Sequence, residues 1–229
     1  MRIKWLAHSA FLLTASDGTR IVTDPYTPGG GITFGRITEP ADFVTVSHDH
    51  FDHNDVAGVP GKPAAIRSSG SHKAGGVSVT GFDTFHDDKH GAQRGRNIIF
   101  VFEDPVTLGT RSEMSDISVM SPLRVAHLGD LGHVPTEQAK VIGKVDVVLI
   151  PVGGYYTIDP AAAHQTAELL GARVVIPMHY KTGKLGLPIV GVDEFTRGRT
   201  DVKKLGTEVE VSTGSLPATP EIWVLEHAL

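Results

Sequence analysis

Short apolar runs separated by turn residues make up the first part of the chain, and this pattern predicts strands rather than helices. The Asp17-Gly18 pair is a typical hairpin turn between two such runs. A Gly/Pro-rich stretch, residues 25–40, interrupts the pattern and predicts a loop. The predicted strands are Arg2–Ala7, Phe11–Ala15, Arg20–Asp24, Asp42–Ser47, Ala64–Arg67, Val77–Phe85 and Asn97–Glu103.

Strands and helices alternate in the second part. The pattern predicts strands at Arg124–Leu128, Val145–Val152, Arg173–Met178, Thr207–Ser212 and Glu221–Leu225, with helices at Pro135–Gly143, Pro160–Leu170 and Val192–Leu205. The polar, aperiodic stretch Asp104–Pro122 predicts a loop or insertion that acts as a lid or an oligomer contact. Hairpins followed by alternating elements indicate an α/β fold with mixed sheets, in a single domain over residues 1–229.

Composition narrows the chemistry. The 229 residues carry 21 Lys and Arg against 26 Asp and Glu, a net charge of −5, which argues against a nucleic-acid partner. No apolar run approaches the roughly 20 residues of a membrane span, and the N-terminus lacks a secretory signal, so we expect a cytoplasmic protein. With no cysteine and 12 histidines, a metal site here must use imidazole and carboxylate.

The segment Ser47–His53 carries the strongest chemical signal, the pattern His-x-His-x-Asp-His at the end of a predicted strand. Alternate residues of an extended segment point the same way, so His48 and His50 can share one metal ion. Asp52 and His53 lie beyond the bend, where they can face a second ion. The sequence therefore predicts a metal centre at this strand end.

The whole pattern resembles the metallo-β-lactamase superfamily, in particular the branch that contains L-ascorbate-6-phosphate lactonase. The motif is followed in the expected order by His86 in Phe85-His86-Asp87, Asp130 in Leu128-Gly129-Asp130 and His179 in Met178-His179-Tyr180. Further segments similar to that branch are Leu6–Phe11, Asp24-Pro25-Tyr26 and Ile150–Gly154. The resemblance covers nearly the whole chain and implies a four-layer αββα sandwich with metals at one edge of two mixed sheets.

The resemblance also implies a ligand set for two divalent metal ions, with zinc or manganese favoured and iron as an alternative. In this set His48, His50 and His86 hold one ion, Asp52, His53 and His179 hold the other, and Asp130 bridges both. A bridging aspartate keeps such ions about 3.5–4 Å apart, and a hydroxide between them is a nucleophile near neutral pH. The implied reaction is hydrolysis, with Asp52 and Asp130 as the catalytic carboxylates.

Several assignments stay open at the level of sequence. His90 is an alternative to His86 as a ligand, although His86 directly ends a predicted strand and is preferred. His8, His133, Tyr156 and Lys181 are candidate substrate-binding residues, each with a structural role as its alternative. The loop after His90 also carries two arginines, Arg94 and Arg96, which can recruit an anion.

Three functions are compatible with this predicted metal site. The first is hydrolysis of a small, anionic lactone or ester by a dinuclear centre, and the second is hydrolysis of a phosphodiester on the same fold. The third is a metal-binding protein without turnover, which the complete ligand set disfavours. The expected partner is a small-molecule substrate, with no membrane, and the branch makes a homo-oligomer plausible.

Overall fold

The computed structural model describes residues 1–105 and 121–229, and these form fourteen strands and three α-helices. The strands, β1 to β14 in chain order, span Arg2–Ala7, Ala10–Thr14, Arg20–Thr23, Phe43–Thr45, Ala64–Ile66, Gly70–Ala74, Val77–Phe85, Arg96–Asp104, Leu123–His127, Val147–Pro151, Val174–Met178, Val202–Leu205, Glu208–Glu210 and Glu221–Leu225. The helices α1, α2 and α3 span Thr136–Ile142, Pro160–Leu169 and Val192–Thr196. Within the described residues, no helix combines the length and the apolar character that a membrane span needs.

The strands form two mixed sheets, as the sequence predicts. The six-stranded sheet has the order β13-β1-β2-β3-β4-β5, with β3, β4 and β5 parallel to one another. The eight-stranded sheet has the order β12-β14-β11-β10-β9-β8-β7-β6, parallel from β12 to β9 and antiparallel from β9 to β6. This arrangement of two mixed sheets is the one that the resemblance implies.

The core lies mainly between the two sheets. Apolar side chains from β1 and β2, such as Trp5 and Phe11, are fully buried in one cluster with Phe100 of β8 and Ile176 of β11. The hydrophobic effect therefore holds the sheets face to face. A second, smaller apolar cluster joins the six-stranded sheet to residues of the 25–41 and 185–189 segments.

The helices lie on the eight-stranded sheet, where α1 contacts β7 and α2 contacts both β10 and α3. The start of α2 follows from its sequence, because Pro160 occupies the first turn and the Asp159 side chain accepts a hydrogen bond from Ala162 N at 2.8 Å. Loops that carry Ile32, Phe34 and Leu185 form the second apolar cluster with the six-stranded sheet.

Two sequence predictions are wrong in detail. The helix predicted over Val192–Leu205 ends at Thr196, because Gly198 adopts a φ of +72° and the chain then enters β12, which pairs in parallel with β14. The sequence pattern does not predict strand β6. Its residues are mostly polar and exposed, because β6 lies at the edge of the eight-stranded sheet. Of the predicted loop Asp104–Pro122, Asp104 ends β8, and residues 106–120 lie outside the described residues.

Candidate metal centre

Ten histidine, aspartate and serine side chains meet at one end of the sandwich, where strands of both sheets terminate. The six-stranded sheet supplies residues that follow β1, β3 and β4, and the eight-stranded sheet supplies residues that follow β7, β9 and β11. In chain order these residues are His8, Asp24, Ser47, His48, His50, Asp52, His53, His86, Asp130 and His179. The site therefore depends on the packing of one sheet against the other.

Three of these residues have a left-handed backbone. His8, Asp24 and His179 adopt φ angles of +53°, +38° and +50°. Non-glycine residues rarely take this conformation, and it costs about 1–3 kcal/mol each. Each of the three turns sharply at the end of its strand, which directs its side chain back toward the cluster. Such strain is found where function requires a particular side-chain direction.

The potential ligand atoms form two main groups and a third that overlaps them, each with its members within 4.8 Å of one another. The first group contains His48, His50 and His86. The second contains Asp52, His53 and His179, together with His8. The third, Asp24 with His48 and His53, shares one histidine with each of the other two. The sequence predicts the first two groups with the same division, except that it gives His8 as a candidate substrate-binding residue with a structural role as its alternative. His8 Nε2 lies 3.3 Å from Asp52 Oδ2, and the rings of His8 and His179 are 4.4 Å apart.

Asp130 lies between the two groups. Its Oδ2 atom is 3.4 Å from His86 Nε2 and 3.9 Å from His48 Nε2, both in the first group. The same oxygen is 3.3 Å from His53 Nε2 and 3.3 Å from His179 Nε2, both in the second. Ligand atoms about 2.0–2.2 Å from a shared ion are separated by about 3.3 Å or more. One carboxylate oxygen is thus within ligand spacing of both groups.

The backbone around Asp130 is fixed by a buried amide. Asp130 N donates to Asn97 Oδ1 at 3.0 Å, and Asn97 Nδ2 donates to Leu128 O and to Thr84 Oγ1, each at 2.9 Å. Gly129 between them has a φ of +56°, and a Cβ there would lie 2.3 Å from Asn97 Oδ1. Only glycine fits this close approach, which places the Asp130 carboxylate at the strand end.

Asp24 supports the cluster, a role that no motif in the sequence predicts. Its carboxylate accepts hydrogen bonds from Ser47 N at 2.7 Å, from Ser47 Oγ at 2.5 Å and from His53 Nδ1 at 3.0 Å. Carboxylates that accept from the outer nitrogen of a metal-binding histidine fix its tautomer and ring orientation. The signal in the sequence was an aspartate at the end of a predicted strand, directly before Pro25 and Tyr26.

The electrostatics of the cluster favour cations. Burial, with nearby histidines, lowers the pKa of His48 to about 3 and that of His8 to about 4, so both imidazoles are neutral at pH 7. Burial alone would raise the pKa of Asp130, but His179 and His53 hold it well below its ordinary value. Burial opposes a charge on His53 as well, yet Asp130 and Asp24 raise its pKa well above the ordinary value. Without a metal ion, the positive charge that balances the ionised Asp130 and Asp24 carboxylates is therefore a proton on His53.

The donor set fits metal ions. In the described residues, His48 Nε2, His53 Nε2 and Asp130 Oδ1 are buried and have no hydrogen-bond partner. Buried polar atoms are seldom left unsatisfied in proteins, and such exceptions point to a role. Imidazole and carboxylate suit zinc, manganese and iron, so the chemistry of the donors does not select one of them.

A pocket of about 440 Å³ opens over the cluster. Its lining includes the candidate ligands His86, Asp130 and His179, together with Arg94 and Tyr156. The Arg94 guanidinium lies 5.5 Å from the centre of the Tyr156 ring, a cation–π distance. Tyr156 therefore lines the pocket, as a substrate-binding role requires.

Asp87 organises the loop that carries Arg94, and sequence reasoning missed this role too. One carboxylate oxygen accepts from Lys89 N at 2.8 Å and Gly91 N at 2.9 Å, and the other accepts from Gln93 N at 2.9 Å and Arg94 N at 2.7 Å. Burial would by itself raise the pKa of the Asp87 carboxyl. The four backbone hydrogen bonds instead lower this pKa to about 2. The Asp87 side chain therefore stays ionised at neutral pH, and its hydrogen bonds fix the conformation of the loop.

Other predicted residues lie away from the cluster. His90 is exposed, belongs to neither ligand group and contacts the Phe85 ring, whereas His86 lies in the first group. His133 lines a separate pocket beside Phe85 and bonds its own neighbour's carbonyl, Val134 O, at 3.0 Å. The exposed Lys181 donates to Leu187 O at 2.8 Å within its own loop.

These features define a histidine- and carboxylate-rich centre at the edge of a two-sheet sandwich. The family model for the β-lactamase superfamily domain matches residues 2–179, which is most of the chain. The chain belongs to the metallo-β-lactamase superfamily.

The relatives specify the family further. The chain is 34% identical over 199 residues to a UPF0173 metal-dependent hydrolase of Korarchaeum cryptofilum, covering 80% of this chain and 84% of that protein. It is 31% identical over 198 residues to one of Caldivirga maquilingensis, covering 79% and 82%. A Thermotoga maritima structure, assigned as a Zn-dependent hydrolase of the superfamily, is 36% identical with a TM-score of 0.75, covering 99% and 98%. The chain is thus a metal-dependent hydrolase with UPF0173 relatives.

Proposed function

We propose that this hydrolase uses two divalent metal ions to hydrolyse a small, anionic lactone or ester. The observation that carries the proposal is the position of Asp130 Oδ2, which lies 3.3 Å from His179 Nε2 and His53 Nε2 and 3.4 Å from His86 Nε2. A carboxylate at ligand spacing from two separate imidazole groups supports a bridging role. Zinc and manganese are the favoured ions, with iron as an alternative.

In this proposal His48, His50 and His86 would hold one ion, Asp52, His53 and His179 would hold another, and Asp130 would be a ligand to either. When bound, such a pair of ions lowers the pKa of a water molecule toward about 7 and polarises the oxygen of a carbonyl substrate. The protein contributes the coordination geometry, a supply of neutral imidazoles and a pocket that orients the substrate.

The residues around the ligands have supporting parts in the proposal. Asp24 holds the Nδ1 proton of His53, which leaves Nε2 free to bind metal. His8 lies 3.3 Å from Asp52 Oδ2 and would orient that carboxylate or join it as a ligand. Asp52 is less buried than Asp130 and also lines the pocket, so it contacts both the second ion and the substrate side of the site.

The pocket supports a small substrate. Its volume of about 440 Å³ is within the usual range for metabolite-sized ligands. The similarity of several segments to the ascorbate-6-phosphate lactonase branch supports a lactone or another carbonyl ester bearing an anionic group. The net charge of −5 disfavours a nucleic acid. We place the enzyme in the cytoplasm, since a cysteine-free chain is compatible with a reducing compartment.

The test compares the wild-type chain with Asp130→Ala after loading with Zn²⁺ or Mn²⁺. Bound metal is counted by elemental analysis, folding is checked by circular dichroism, and hydrolysis is measured on a panel of lactones and aryl esters. We expect the wild type to bind two ions and turn over a panel member. Asp130→Ala should keep the fold, lose metal and lose activity.

Three results would contradict the proposal in distinct ways. Metal-dependent activity that survives Asp130→Ala would overturn the dinuclear assignment. Turnover of an aryl phosphodiester, lost in His48→Ala, with no lactone or ester hydrolysed, would show a phosphodiesterase of the same fold. Two bound ions with no turnover of any panel member would favour a metal-binding protein without catalysis.

A further inference from the structure

We propose that Arg94 is the residue that selects an anionic substrate, by binding a carboxylate or phosphate group that lies remote from the bond to be cleaved. This inference rests on the proposed function, because it names the substrate feature that the same pocket recognises. It begins from the position of Arg94, whose side chain lines the pocket together with Asp52, Asp130 and His179. A ligand in this pocket therefore lies between the candidate metal ligands and a guanidinium.

Arg94 is the one lysine or arginine side chain among the described residues that line this pocket. In the part of the chain that the structure describes, the Arg94 guanidinium forms no salt bridge, whereas that of Arg124, for example, pairs with Glu103 at 3.0 Å. The pocket also contains the exposed Asp49, but that carboxylate accepts a hydrogen bond from Asn54 Nδ2 at 2.6 Å. The charge of Arg94 is thus available to a ligand.

The Tyr156 ring packs against the Arg94 guanidinium. The guanidinium carbon lies 5.5 Å from the centre of the Tyr156 ring, and both residues are partly buried. An arginine that packs on an aromatic face keeps the N–H groups at its edge for hydrogen bonding. Those groups form the fork that matches the two oxygens of a carboxylate or of a phosphate.

The loop that carries Arg94 is held from the other side by Asp87. Its carboxylate accepts the backbone N–H of Gln93 at 2.9 Å and of Arg94 at 2.7 Å, besides two bonds earlier in the loop. Asp87 directly follows His86, a candidate metal ligand. The same short segment therefore positions one metal ligand and one anion-binding side chain, which sets the separation between the reacting bond and the anionic group.

The experiment uses two aryl esters that differ mainly in charge, 4-nitrophenyl acetate and 4-nitrophenyl hemisuccinate, with the metal-loaded protein. Three variants are compared with the wild type. Arg94→Ala removes the guanidinium, and Arg94→Lys keeps a charge but loses the fork. Lys89→Ala is the matched control, since it removes a positive charge from the same loop at an exposed position paired with Asp88.

We expect Arg94→Ala to raise KM for the hemisuccinate about tenfold or more, the loss typical of a charge-assisted hydrogen bond. Its kcat and its kinetics on the neutral acetate should stay near wild type, as should both substrates with Lys89→Ala. Arg94→Lys should fall between wild type and Arg94→Ala. An equal loss on both esters, or no loss on either, would overturn the role of Arg94 and leave the proposed hydrolase intact.

Binding of inorganic phosphate, measured by calorimetry with the same loaded proteins, separates the two proposals further. Where neither ester is hydrolysed by the wild type, the proposed ester hydrolysis fails for these probes, but the Arg94 inference still has a test. Phosphate affinity that falls about tenfold in Arg94→Ala and not in Lys89→Ala would then support it. Equal affinity in all variants would overturn it.

Discussion

Asp24→Asn is the substitution that tests the support of the metal centre most directly, because it changes hydrogen-bonding character with almost no change in shape. The wild-type carboxylate accepts three hydrogen bonds, two from Ser47 and one from His53 Nδ1 at 3.0 Å. An asparagine oxygen can still accept from Ser47 N. Its NH₂ group, however, then faces His53 Nδ1 and can only donate.

His53 must then change its tautomer. With a donor opposite Nδ1, the proton moves to Nε2, the atom that lies 3.3 Å from Asp130 Oδ2 in the ligand cluster. A protonated Nε2 has no lone pair for a metal ion. Loss of such a supporting carboxylate weakens metal binding or activity about 10–100-fold, which corresponds to about 1.4–2.7 kcal/mol.

The assay is competition for Zn²⁺ against a chromophoric chelator, at pH 7.5, with folding followed by circular dichroism. Asp104→Asn is the matched control, because Asp104 is also buried and accepts from Ser16 N and Oγ, but it lies outside the ligand cluster. We expect weakened Zn²⁺ binding in Asp24→Asn alone. Wild-type affinity for two ions in Asp24→Asn would refute the reasoning on the His53 tautomer.

Two further predictions follow from the same loop of the site. His86→Ala should lose one of the two bound ions on elemental analysis, whereas His90→Ala should keep both, and the reverse result would assign the ligand to His90. The second concerns pH: the pKa of Asp87 is lowered to about 2 from an ordinary value of 3.8, so its hold on the loop is complete above about pH 4 and is lost as the pH falls toward 2. Amide exchange of Gln93 and Arg94, referred to an unbonded amide, should accelerate over that interval, and Asp87→Asn should remove this pH step; an unchanged step in the variant would assign it to another group.

The sequence predicts the strands of the sandwich well where apolar residues recur at strand spacing and one face is buried. Val77–Phe85 and Glu221–Leu225 have the predicted bounds, since each pairs inside the eight-stranded sheet. The polar edge strand β6 gives no such signal, because its stability comes from pairing with β7 rather than from burial of its own side chains. The residues of α3 and β12 were joined into one helix, since local pattern does not reveal the turn at Gly198.

The candidate ligands were predictable because they form a compact motif or directly follow strands. The two groups that the sequence proposed are brought together by the fold, but their supporting residues were not foreseen. Asp24 and Asn97 act through contacts between distant parts of the chain, and neither belongs to a local motif. Lys181 is close to His179 in the sequence, but its side chain does not line the pocket. It donates a hydrogen bond to Leu187 O instead.

The division of the candidate ligands between the two sheets has a mechanical consequence. Ions held by His48 and His53 from one sheet, and by His86 and His179 from the other, would cross-link the sandwich at its open end, in a chain that contains no cysteine for a disulfide. Bound ligand stabilises a folded state by roughly 4 kcal/mol at a thousand times its dissociation constant. The bound ions would then act as a reversible cross-link between the two sheets. The supply of metal in the cell would set the stability of the folded chain as well as its rate of hydrolysis.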